Sequence, residues 1–264
     1  MHGLGNLIRH ELGMGLRRRA LWIAYAVLFV FHTVILFSPP PLGEWVAGDV
    51  ITPAETWSAA GRFLAALNVF FPVIAGILSA DRLRRDFQLG MRELQESTPL
   101  RAAAYALSKY LGALAACLLP LSLWVMAVAI VMVAIGHAPP TFVLTVLLAF
   151  LAISLPAFAF VVAFSIACPL VMPLSMYQVL FTGYWFWANF IPPRLFPTLN
   201  GTLFTPNGLF ASQGFFGAEV SAEIAGAAGY TAGDAVLNLL VLATCVTGVL
   251  TVLTAHLRRQ ARLA

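Results

Sequence analysis

Charge is what this sequence has least of. Only 10% of its 264 residues are Asp, Glu, Lys or Arg, where a soluble globular domain carries about 25%. Hydrophobic residues make up 61%. That imbalance excludes a soluble domain and predicts an integral membrane protein. Lysine occurs once, at Lys109 between Ser108 and Tyr110, so there is no G-x-x-x-x-G-K-[ST] phosphate loop and no ATP hydrolysis is expected on this chain. His10-Glu11 is not followed by the second histidine of a zinc-protease helix, and no G-x-S-x-G serine elbow occurs. Cys117, Cys168 and Cys245 lie in apolar segments without a CxxC pair or a nearby histidine, which predicts packing residues rather than a disulfide framework or a zinc site.

Ionisable groups are also missing from the middle of the apolar segments. Only His32 falls there, with Arg62, Asp81, Lys109, Asp234 and His256 at the boundaries. Carriers coupled to protons or cations bury such groups in mid-membrane, where they mark the ion path; their absence argues against a secondary transporter. The net charge of +4 does not call for nucleic acid, because the positive residues sit beside hydrophobic segments, where they set orientation in a bilayer.

Six apolar segments are present, each near or above the roughly 20 residues that cross about 30 Å of hydrocarbon: Ala20–Phe37, Phe63–Ala80, Tyr110–Gly136, Phe142–Cys168, Leu174–Ile191 and Ala235–Leu257. The first follows Arg17-Arg18-Arg19 and is long enough to span rather than to be cleaved as a signal peptide. An even number of spans puts both termini on one side. With the N-terminus in the cytoplasm, 13 of the 15 basic residues are cytoplasmic and only Arg62 and Arg194 lie outside, which predicts cytoplasmic termini in a cell membrane. Before the first span, Leu4, Leu7, Ile8, Leu12 and Leu16 share one helical face, the pattern of a helix lying in the membrane interface within residues 1–19. Glu11 falls in that apolar arc and is expected either to reach the headgroups or to pair with an arginine from a neighbouring segment.

Prolines at 72, 120 and 156 interrupt three spans and predict kinks that neighbouring groups satisfy. The pairs Gly112/Ala116 and Gly76/Ala80 are spaced for close helix approach. The fifth segment is rich in aromatics, of which Phe181, Tyr184, Trp185 and Trp187 are candidates to line a path for an amphipathic substrate. Residues 192–234 are apolar but broken by Pro206, Gly208, Gly214 and Gly217, which predicts short re-entrant or interfacial helices outside the membrane.

The charge that the chain does have is concentrated between the second and third segments, in residues 81–109. There Phe87, Met91 and Leu94 fall at i, i+4 and i+7 on one helical face, while Gln88, Arg92, Gln95 and Glu96 take another and Glu93 adds a further rim charge. Gly90 predicts a bend, and Thr98-Pro99 reads as the start of the next helix. The order Asp86, Gly90, Glu93-Leu94, Ser97-Thr98-Pro99-Leu100-Arg101, Lys109 resembles the first cytoplasmic loop of ABC-2 type transporter permeases, and the six-span layout is similar as well. The resemblance implies that the whole chain is one ABC-2 transmembrane domain. It would have an N-terminal elbow helix, a coupling helix through Phe87–Glu96 that docks on a separate ATPase subunit, and re-entrant helices between spans five and six. It implies two permease copies, identical or homologous, and two ATPase chains that carry the ATP and Mg, with no cofactor on this chain. It implies an exporter of a hydrophobic or amphipathic compound such as a drug, a peptide antibiotic, a lipid or a lipid-linked glycan. A polytopic membrane enzyme and a structural subunit without transport activity are the competing readings. The enzyme reading is weakened because Glu219, Glu223 and Asp234 have no histidine or cysteine nearby.

Overall fold

The computed structural model describes residues 2–38, 50–88, 102–219 and 229–263, and all regular structure among them is helical. In chain order the helices are α1 (His2–Leu16), α2 (Arg19–Phe37), α3 (Thr56–Leu67), α4 (Phe71–Ser79), α5 (Arg82–Gln88), α6 (Ala102–Ala134), α7 (Thr141–Ala149), α8 (Leu155–Ala167), α9 (Leu174–Phe190), α10 (Leu209–Gly214) and α11 (Ala232–Leu263). A five-residue π-turn, Phe150–Ser154, joins α7 to α8.

Four helical stretches are long and apolar enough to cross a membrane: Arg19–Phe37, Ala102–Ala134, Thr141–Leu170 and Ala232–Gln260. The bent pair α3–α4 makes a fifth if it is counted as one span. Helix α9, with 17 residues, is shorter than these. At 1.5 Å per residue, the 33 residues of α6 reach about 50 Å, well beyond the roughly 30 Å of hydrocarbon. Helix α6 is thus longer than one straight crossing needs, and its first two turns hold Tyr105 and Lys109.

The second apolar segment is not the single helix expected over Phe63–Ala80. It breaks after Leu67 and turns by 42° before α4. Pro72 is not an interior kink but stands at the start of α4, where its missing N–H would have had no helical acceptor anyway. Pro156 likewise follows a change of helix type. Its ring would press on the carbonyl four residues back, and the chain widens to π geometry at that point, with Leu155 N–H bonding to Phe150 O. Pro120 does lie inside a continuous helix.

Burial separates the two kinds of apolar surface. Leu64, Leu67, Phe71, Leu121, Val125, Ile153 and Phe158 are sealed in the centre, with Tyr25 and Trp185. By contrast α2 turns Ile23, Val27, Val30 and Val34 outward, and α11 turns out Leu237, Leu240 and Val252. So many exposed large apolar side chains suit lipid and not water. The close approaches expected from the small residues occur. A Cβ on Gly76 would run into the Phe181 ring, and one on Gly112 into the Cβ of Glu11.

Candidate functional site

Helix α1 lies along the N-terminal half of α6, and glycine makes that possible on both sides. Gly112 of α6 leaves room for Glu11, and a Cβ on Gly15 of α1 would come 2.5 Å from Ala116 of α6 and 2.7 Å from an Arg82 nitrogen. With the backbones this close, Glu11 is 7% exposed and Lys109 5% exposed. Lys109 Nζ sits 2.5 Å from Glu11 Oε1 and 2.5 Å from Asp86 Oδ2. The Tyr105 hydroxyl donates to the same Asp86 oxygen at 2.7 Å, and Arg82 Nη1 lies 3.9 Å from Glu11 Oε2. Two carboxylates and two cations thus cancel in a site largely closed to water. Arg82 is not fully served: its Nε is buried and has no hydrogen-bond partner.

A second pair adjoins the first. The Arg18 guanidinium, at the α1–α2 junction, donates to both carboxylate oxygens of Asp81 and to the Leu78 carbonyl. The two sets tie α1 and the start of α2 to α4, α5 and α6. Helix α5 ends at Gln88 and α6 starts at Ala102, so the ions clamp the two flanks of residues 89–101 to the N-terminal helix. Glu11 takes the pairing alternative of the two open to it, with the lysine nearer than the arginine.

Of the residues expected to form the docking helix, Phe87 and Gln88 are in the last turn of α5. Met91, Arg92, Glu93, Leu94 and Glu96 lie outside the described residues. The four aromatic candidates are all on α9. Trp185 is fully buried and donates from Nε1 to the Val69 carbonyl at 3.0 Å. Phe181 is buried with its ring stacked on Tyr177, 5.6 Å between centroids. Tyr184 and Trp187 are half-buried with their rings 6.3 Å apart. His32 is a packing residue: its Nδ1 is 2.8 Å from Leu28 O and its ring rests on Phe71.

At the far end of the bundle a neutral network holds the helix breaks. Asn68, which ends α3, donates to Ile153 O in the π-turn and to Asn207 O, both at 3.1 Å. Asn207 donates to Asn189 O at 3.1 Å, and its own Oδ1 accepts from Leu209 N–H at 2.9 Å. Asn238 on α11 donates to Leu203 O and Thr205 O. These bonds seat the segment around α10 in the bundle, with Thr205, Ser212 and Phe210 buried. Gly208 turns that segment with φ +86°, and a Cβ there would come 2.5 Å from Ile153 Cγ2.

Sequence reasoning did not single out Arg82, Tyr105 or the asparagines. Asn68, Asn189 and Asn238 each stand in an apolar segment, where an amide has to find a partner; that was the signal available. No group of His, Cys, Asp and Glu among the described residues could hold a metal ion. No protein-family model, curated protein or solved structure matches this chain.

Proposed function

We propose that this chain is the membrane-spanning permease subunit of an ATP-driven exporter of the ABC-2 type. The observation that carries the reading is the buried Glu11–Lys109–Asp86 network, because it joins the N-terminal helix to both flanks of residues 89–101. A force applied to that interval reaches α1, α5 and α6 together, rather than being lost in a slack loop. In this reading six spans cross the cell membrane, counting α9 and the α3–α4 pair, and both termini and residues 81–109 are cytoplasmic. The segment around α10 is re-entrant from the opposite side.

Two such chains, identical or homologous, pair with two ATPase subunits that bind ATP and Mg. Phe87, Met91 and Leu94 are the apolar anchors of the docking helix; Gln88, Arg92, Glu93 and Glu96 form its rim. The cargo is a hydrophobic or amphipathic compound that passes Tyr184 and Trp187, with Phe181 and Trp185 backing that wall.

The test is whether a separate ATPase subunit copurifies with this chain from its native membrane, together with ATPase activity of the complex. Leu94→Ala is expected to weaken association by about 1–3 kcal/mol, the cost of removing a buried anchor. Glu93→Arg is expected to weaken it less, and more at low salt than at high. Unchanged copurification and activity in both variants would sink the reading.

A further inference from the structure

A second charged feature of this end of the bundle is not part of the ion network. Between the start of α5 and the start of α9 lies an open cavity of about 680 Å³, lined by Asp81, Arg84, Arg85, Leu174, Ser175 and Gln178 among others. Its one carboxylate, Asp81, is already engaged by Arg18. Arg84 and Arg85 are not engaged: neither has an ion pair or a hydrogen bond to any described residue. The N-terminus of the 17-residue α9 opens here as well, and no side chain caps its first turn. Among the described residues the cavity therefore carries two guanidinium charges with no carboxylate partner, reinforced by backbone N–H groups at the positive end of a helix dipole.

Its surroundings say where the ligand comes from. Val171, Val179 and Leu180, on either side of the α9 start, are 76%, 72% and 52% exposed. Behind the cavity, Gln178 reaches the Ile77 carbonyl, and beyond that Phe181 closes onto Gly76. The basic pocket thus opens on the line where outward-facing apolar surface gives way to charge, the level of phospholipid headgroups. Basic pockets between membrane helices at that level hold anionic headgroups.

We infer that this cavity binds a phosphate group, presented by an anionic phospholipid of the surrounding leaflet, with Arg84 and Arg85 as its ligands. The inference does not rest on the transport reading and stands or falls separately from it.

The experiment titrates the purified full-length chain in neutral detergent with phosphatidylglycerol, phosphatidylcholine or inorganic phosphate. Bound lipid is counted by native mass spectrometry and melting is followed in parallel. Phosphatidylglycerol is expected to bind roughly tenfold or more tighter than phosphatidylcholine. Arg84→Gln with Arg85→Gln is expected to abolish that preference. Arg17→Gln with Arg19→Gln, which removes two exposed charges at the same end, is expected to leave it nearly intact. Unaltered melting of the Gln pair in phosphatidylcholine shows that the fold survives; if it does not, Arg84→Lys with Arg85→Lys, which keeps the charge, must retain the preference. Protection by millimolar inorganic phosphate that is lost in the Gln pair keeps the phosphate site but assigns it a soluble ligand. Equal binding of the two lipids with no such phosphate effect, or equal losses in the two double variants, would overturn the inference.

Discussion

The two ends of this bundle bury polar groups by opposite means. One end uses full charges: Glu11, Asp86, Lys109 and Arg82, with Arg18 and Asp81 beside them. The other uses neutral amides, Asn68, Asn189, Asn207 and Asn238, directed at main-chain carbonyls. The difference follows from what each end has to hold. Asn68, Asn207 and Asn238 donate to carbonyls at a helix break or in the connecting segment, where main-chain acceptors need donors from outside a regular helix. The ions fasten whole helices to one another, α1 to α5 and α6, and only Arg18 also serves a main-chain group, the Leu78 carbonyl. A buried ion pair contributes little net stability over a well-packed apolar substitute, and its best-attested use is to fix one arrangement against another. The amide end therefore holds breaks and connections in place, and the charged end is the one that specifies where α1 and α5 sit.

The strongest way to break this comparison is to unbalance the charges. Lys109→Met leaves Glu11 and Asp86 buried without the cation between them, and stability is expected to fall by about 3–5 kcal/mol, read as thermal unfolding in detergent. Replacing the set together, Glu11→Leu, Asp86→Leu and Lys109→Met, is expected to restore most of that stability; under the proposed function, coupling to the ATPase subunits is expected to stay impaired. A triple variant with normal coupling would show that the ions only pack the helices.

The amide end is expected to respond less. Asn68→Ala removes the donor to two buried carbonyls, Ile153 O and Asn207 O, at about 1–3 kcal/mol. No charge is stranded there, so the loss is expected to be the same in low and high salt. Gly208→Ala tests the same end from the backbone. It places a side chain at φ +86° and a Cβ 2.5 Å from Ile153, and about 1–2 kcal/mol is expected for the left-handed conformation alone. If Asn68→Ala proves costlier than Lys109→Met, the two ends have been ranked the wrong way round.

How much of this was legible beforehand follows the range of the interactions. Helix α1 could be read from Leu4, Leu7, Ile8, Leu12 and Leu16, because one-sided burial is written at helical spacing. The sites of close approach could be read from Gly112 and Gly76, because only a missing side chain lets backbones meet there. The break after Leu67 could not: Leu67, Val69, Phe70 and Phe71 are equally apolar in or out of a helix, and what holds the bend is Asn68 reaching Ile153, 85 residues away. The partner of Glu11 was half legible. Its place in the apolar arc marked it as needing a cation, but Lys109 becomes the nearest one only when α1 crosses α6 at Gly112. The docking residues Met91, Arg92, Glu93, Leu94 and Glu96 remain a reading of the sequence alone.

The smallest expected effect lies outside both networks, in the turn that leads into α3. The Glu55 carboxylate accepts from the Thr52 hydroxyl at 2.8 Å and from the Thr52 N–H at 3.1 Å, half of a capping box. These bonds, the hydroxyl foremost, hold its pKa below the ordinary 4.5. A carboxyl whose folded pKa is depressed adds stability above its unfolded pKa and loses it as the pH falls through the folded value. Glu55→Gln keeps an acceptor but removes the charge, so the variant should melt slightly below the parent at pH 7, with the gap closing once the pH drops below the carboxylate range. Because Glu55 is fully exposed, water screens the interaction and the gap should be much smaller than for Asn68→Ala. A pH-dependent gap at Glu55 as large as the salt-independent loss at Asn68 would mean that capping outside the bundle, and not the amide end, holds the α3–α4 bend in place.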